Sequence, residues 1–114
     1  MADKELRWRG SALSDLLTFP VDVRKQAGFE LNKVQKGKTP GDFKVISDWG
    51  AGVTEIRLRG EDGIFRMVYV AKFEEAVYVL HSFQKKTQKT SPGDVVIIKQ
   101  RYKDLEQERR KKSD

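Results

Sequence analysis

Three apolar stretches, Val53 to Arg59, Ile64 to Ala71 and Ala76 to Phe83, follow one another with only Gly60-Glu-Asp-Gly63 and Lys72-Phe-Glu-Glu75 between them. Strand-length runs rich in β-branched and aromatic residues, punctuated by short turn-forming segments, predict an antiparallel meander. Side chains alternate along a strand, so Thr54, Ile56 and Leu58 face one way and Glu55, Arg57 and Arg59 the other. One face is therefore expected to be core and the other wet.

With both connections taken as four residues long, the registers follow. Ile56, Met67 and Leu80 then form one apolar row and Leu58, Phe65 and Ser82 the next, a floor for helices to cover. On the opposite face Arg57, Arg66 and His81 fall in one row. Arg59, Ile64 and Phe83 lie on one side of it and Glu55, Val68 and Val79 on the other. Two arginines directly across an antiparallel pair repel, which invites an anion. Neutralisation of these arginines by Glu55 is the plainer alternative. The only His of the chain would stand in the same row, where a group titrating near neutrality is useful beside guanidinium donors. Beyond the third strand, Gln84-Lys85-Lys86-Thr87-Gln88-Lys89-Thr90 alternates cations and hydroxyls, and such a loop offers donors to successive phosphates.

Around this meander the chain supplies helices. Leu6-Arg7-Trp8 reads as a short strand. Ser11 can cap a helix carrying Leu13, Leu16 and Leu17 on one face. A second helix starts at Pro20, carries Val23, Ala27, Leu31 and Val34 as a core stripe, and ends at Gly37. Residues 38–52 read as a loop with a short extended piece at Phe43 to Ile46, and with Trp49 covering the edge of the core. Ser91-Pro92-Gly93-Asp94 opens a final helix with Val95, Ile98, Tyr102 and Leu105 on its apolar face, followed by a solvated charge run over Glu106 to Asp114.

Composition narrows the function. At 114 residues the chain is one domain, with an ordered core at about residues 6–105 and a charged tail over 106–114. Lys and Arg number 23 against 17 Asp and Glu, and the net charge of +6 favours polyanionic partners through counterion release. With no Cys and a single His, neither a disulfide framework nor a metal site is expected, and chemistry without a cofactor, or none, follows. The charged N-terminus has no apolar signal core and no run is long enough to span a membrane, so the cytoplasm is expected.

The order of elements, with Glu55-Ile-Arg-Leu-Arg59, Gly63-Ile-Phe-Arg-Met-Val-Tyr69 and Val79-Leu-His-Ser-Phe-Gln-Lys-Lys-Thr-Gln-Lys-Thr90, resembles the RelE/HigB superfamily of bacterial toxins. The likeness runs from about Leu6 to Tyr102 and is nearest to the phage-derived HigB-like branch. It implies an α+β fold with two N-terminal helices and a C-terminal helix packed on a small, mainly antiparallel sheet. It also implies the toxin of a type II toxin–antitoxin pair, which cleaves messenger RNA on the ribosome without a metal. Its partner would be a helix-turn-helix antitoxin, and operator DNA would be met only through that antitoxin. By the resemblance, Arg66 contacts the scissile phosphate, Arg57 is a basic position on the preceding strand, and Lys85 or Lys86 is the basic residue beyond the last strand. The chain departs from RelE members at Glu55, where they carry Lys, and near Val95 and Val96, where they carry a Tyr. It also lacks histidines found in HigB members.

His81 is assigned to proton transfer by its row, with Glu55 as the other candidate. Arg59, Thr87, Lys89 and Thr90 are expected to contact RNA, and Phe83 to stack on a base. Two other functions compete: a non-catalytic, ParE-like topoisomerase inhibitor, and a phage-derived RNA-binding accessory protein.

Overall fold

A computed structural model describes residues 3–86 and 88–113. The elements are β1 (Glu5–Trp8), α1 (Ala12–Leu16), α2 (Val21–Gln35), β2 (Phe43–Val45), a 3₁₀ turn (Ser47–Trp49), β3 (Val53–Gly60), β4 (Gly63–Val70), β5 (Ala76–Lys85) and α3 (Pro92–Ser113). They make one five-stranded sheet in the order β1-β5-β4-β3-β2. The expected meander forms its centre, and β2 adds antiparallel to β3. β1 runs parallel to β5, a pairing that tolerates the long intervening chain because parallel strands need a crossover.

Val23, Ala27, Leu31 and Val34 of α2 are buried, as their helical spacing predicts. Gly37 follows the helix with φ +77°, a left-handed conformation that costs glycine no steric penalty. In α1 the outcome differs. Only Ala12 and Leu16 are buried, while Leu13 and Leu17 are 40% and 56% exposed. A helix of five residues is too short to present three leucines to one floor, and Phe19 just beyond it fills the space against Phe65 at a ring separation of 4.7 Å. Ser11 stands at the N-cap position, but its hydroxyl donates to the Asp15 carboxylate rather than capping a backbone N–H.

Both faces of the sheet are covered, which corrects the expectation of one wet face. Ile56, Leu58, Phe65, Met67, Tyr69, Val77 and Val79 pack beneath α1 and α2. On the other side Val53, Val68, Val70, Tyr78 and Leu80 pack with Ile98, Tyr102 and Leu105 of α3, and Trp49 closes the edge of this cluster. α3 also continues through the segment expected to be a solvated tail. Arg9 pairs with Glu108 at 2.7 Å, Arg109 pairs with Glu75, and the Arg109 guanidinium lies 3.9 Å from the centre of the Phe73 ring. These long-range anchors hold a stretch whose sequence alone offers no apolar face.

The first hairpin has the predicted register, with Arg57 opposite Arg66. The second does not. Phe83 rather than His81 lies opposite Arg66, and His81 lies opposite Val68. Two one-residue shifts make the difference: the connection between β4 and β5 pairs Val70 with Tyr78 rather than Val77, and at Val68/Tyr69 His81 and Val79 pair with successive residues, leaving Leu80 as an extra residue on β5. Leu80 lies with Tyr78 on the side of α3, away from the row of Ile56 and Met67, where Ser82 stands instead. Among the described residues no helix is long and apolar enough to cross a membrane.

Candidate functional site

α3 shields only part of its face of the sheet. Beyond its first turns the same strands carry Arg57, Arg66 and Lys85, with the register pairs Arg57–Arg66–Phe83 and Arg59–Ile64–Lys85 side by side. A cleft of about 620 Å³ opens there, lined by Arg57, Gly63, Ile64, Arg66, Lys85, Lys86 and Gln88. The two strand arginines, Lys85 at the end of β5 and Lys86 just beyond it are thus brought to one place by strand pairing.

Arg66 is only 3% exposed. Its Nη1 donates to Glu55 Oε1 at 3.0 Å, and the second Glu55 oxygen accepts a longer bond from the Thr90 hydroxyl at 3.5 Å. Burial pulls the Arg66 guanidinium below its ordinary pKa, against the attraction of Glu55 and with the repulsion of Arg57. The Nε atoms of both Arg57 and Arg66 are buried and have no hydrogen-bond partner. Such donors carry a desolvation cost of about 1–3 kcal/mol each until an acceptor arrives. Lys85 is likewise pulled below the usual lysine value, first by burial and then by the nearby charge of Arg66. The cleft therefore holds cations that are preorganised, partly desolvated and short of acceptors, the condition in which an oxyanion is bound most strongly.

The remaining predicted residues separate into two groups. Lys86 lines the cleft and is exposed; Lys89 is exposed on the following loop, and Thr90 is half-buried against Glu55. Thr87 lies outside the described residues. Arg59 is exposed at the rim, where it pairs with Asp42 at 3.6 Å.

His81 and Phe83 lie outside the lining of the cleft. His81 is buried outside the cleft lining, with Nε2 2.7 Å from Asp94 Oδ1 and Nδ1 3.4 Å from Arg101 Nη1. Its ring stacks on Phe83 at 4.9 Å, so the Phe83 ring, itself buried, is already engaged. Arg101 also donates to the Leu80 carbonyl and the Ser11 hydroxyl, tying β5 and α1 to α3. Asp94 and Arg101 escaped sequence reasoning as partners of His81. Ser91-Pro-Gly-Asp94 signalled a helix start, and Ser91 Oγ does accept from the Asp94 N–H at 3.1 Å, but the contact to β5 depends on where α3 is laid.

The fold and cleft define a small α+β domain of RelE type with a cationic site on its central strands. Its structure is similar to that of the E. coli toxin RelE, solved as a double arginine-to-alanine mutant in the free state. The TM-score is 0.59 at 20% identity, over 92% of this chain and 99% of that one. Residues 14–103 match the family described as Phage derived protein Gp49-like (DUF891), and the chain belongs to that family. No curated protein is significantly similar to it. A phage-derived family on a RelE fold is what the sequence resemblance implies.

Proposed function

We propose that the chain is the toxin of a type II toxin–antitoxin pair and cleaves messenger RNA on the ribosome at the cationic cleft. One observation carries this function: two opposed strand arginines with buried, unpartnered Nε groups, flanked by Lys85 and Lys86. The family and the RelE-type fold support it.

Cleavage would proceed by attack of a 2′-hydroxyl on the adjacent phosphorus, its proton passing to solvent water as the P–O5′ bond breaks to leave a 2′,3′-cyclic phosphate and a 5′-hydroxyl, with negative charge gathering on the phosphoryl oxygens. Arg57 and Arg66 supply planar N–H donors to that charge as it develops. Lys85, made more acidic by burial and by Arg66, gives a proton to the departing 5′-oxygen. Lys86, Lys89, Thr90 and Arg59 hold flanking phosphates, a role Thr87 would share. His81 acts on this mechanism through structure, fastening the first turn of α3 to β5 through Asp94. The cognate antitoxin, a helix-turn-helix protein with acidic segments, would cover this basic surface in the cytoplasm; complementary potentials favour fast capture.

The test is to map transcript ends shortly after induction. Codon-spaced cuts that vanish in Arg57→Ala and Lys85→Ala, with both variants folded, are the expected result. Double-strand DNA damage without cuts would instead make the chain a ParE-like topoisomerase inhibitor, and overexpression without growth arrest would leave an RNA-binding accessory protein. His81→Ala should keep cutting at the rate expected of its folded fraction; a larger loss would return His81 to the chemistry.

A further inference from the structure

Among the described residues Glu55 is the carboxylate bonded to Arg66, and unlike the equally buried Arg66 it has no place in the lining of the cleft. It is 3% exposed and does not line the cleft. On the sheet it stands diagonal to Arg66, since Glu55 pairs with Val68 and Arg66 with Arg57. A diagonal carboxylate is within reach of a long side chain on the neighbouring strand. Its Oε1 takes the Nη1 end of the guanidinium, while Arg66 Nε remains without a partner.

Without Glu55, no ion pair among the described residues would hold Arg66 in place against the charge directly opposite. Arg57 repels it, Lys85 adds a further positive charge, and burial disfavours its charged form. A buried guanidinium in that position would relax away from the cleft or recruit whatever anion reached it. Glu55 removes that freedom at the Nη1 end of the guanidinium and leaves the buried Nε without an acceptor. The Thr90 hydroxyl at the second Glu55 oxygen couples the same carboxylate to the loop that follows Lys85, Lys86 and Gln88.

We infer that Glu55 is a positioning residue, which fixes Arg66 by a buried ion pair so that its unpartnered Nε is presented to a phosphodiester in the cleft. This rests on the nuclease function proposed above. Glu55 acts through Arg66 and touches no reacting atom, so its effect belongs in turnover rather than in substrate capture.

Cleavage by Glu55→Gln and Glu55→Ala in a translating extract, with kcat and KM measured separately and rates corrected for the folded fraction, tests this. The amide oxygen of Gln still accepts from Arg66. The expected losses in kcat are therefore about tenfold for Glu55→Gln and about a hundredfold or more for Glu55→Ala, with KM changed less than about threefold. The acidic limb of the pH–rate profile should persist in Glu55→Gln. Equal, large losses in the two variants with that limb abolished would make Glu55 a general base and overturn the inference. Faster cleavage would overturn it too, by making Glu55 a restraint, and so would unchanged turnover per folded molecule.

If the wild-type chain cuts no RNA, the proposed function fails, yet the positioning role is still decided by a second measurement. The Arg66 Nε–H resonance, titrated with inorganic phosphate, should shift in the wild type and in Glu55→Gln and be broadened or insensitive in Glu55→Ala. An identical response in all three would refute the role.

Discussion

The α3-facing side of the sheet is two surfaces in one. Toward one end of β3, β4 and β5, Val53, Val68, Val70, Tyr78 and Leu80 lie under Ile98, Tyr102 and Leu105. A few residues along the same strands, Arg57, Arg66 and Lys85 line an open cleft. Strand geometry and backbone pairing are shared, so the contrast comes from side chains and from the path of α3. Where the helix lies, burial stabilises the fold in proportion to the apolar area removed from water. Where it stops, charge is left with too few acceptors, and the cost is recovered only when an anion binds. Between the two, Glu55, Val68 and His81 form a register row: Val68 belongs to the apolar cluster, while Glu55 and His81 hold Arg66 and Asp94.

Substitutions on either side of that row should have opposite signatures. Leu105→Ala empties a side chain 1% exposed in the apolar half and is expected to cost about 2–5 kcal/mol in chemical denaturation, without changing cleavage per folded molecule. Arg66→Lys keeps the charge and loses the planar fork. Cleavage in a translating extract should fall by about a hundredfold or more while the fold persists, and a full rate would end the assignment of the cleft. Arg66→Ala is a poorer test, because it strands the buried Glu55 carboxylate and confounds activity with stability. Arg57→Ala should abolish cutting yet leave stability unchanged or raise it by up to about 1 kcal/mol, since it relieves the repulsion across β3 and β4. A marked destabilisation would show that Arg57 is structural.

The smallest effect belongs to the far end of α3. The Glu108 carboxyl is held below its ordinary value chiefly by the hydrogen bond from Arg9. A depressed carboxyl contributes stability above its unfolded value of 4.5 and loses it as pH falls through the folded one. Thermal melts between neutral pH and pH 3 should therefore be less steep in Glu108→Gln, by under about 1 kcal/mol for so exposed a pair. A curve identical to the wild type would mean that the Arg9–Glu108 bridge does not anchor the helix.

The α2 stripe, the three central strands and the first hairpin register were legible because each depends on a short-range period and a nearby turn. Arg57 opposite Arg66 follows from a tight connection and needs no knowledge of the rest of the fold. The second hairpin was not legible to the residue. A connection one residue out of the assumed register and a bulge at Val68/Tyr69 together put Phe83 rather than His81 opposite Arg66, and no local signal in Val77-Tyr-Val-Leu-His81 announces the extra residue. α1 looked like a three-leucine face because periodicity does not show that a helix will end after five residues. The charged end of α3 looked solvated because its anchors, Glu75, Phe73 and Arg9, are remote in the chain.

The amino-acid order alone thus settles the three central strands, the α2 helix and its apolar stripe, and that a surplus of cations gathers in the meander and the loop behind it. Those properties come from neighbours a few residues apart. Which cations share a cleft, that Glu55 is bonded to Arg66, and that His81 is fastened to Asp94 instead, were set by the three-dimensional packing. Each is a contact between distant segments, and its geometry depends on a bulge and on the resting place of a helix.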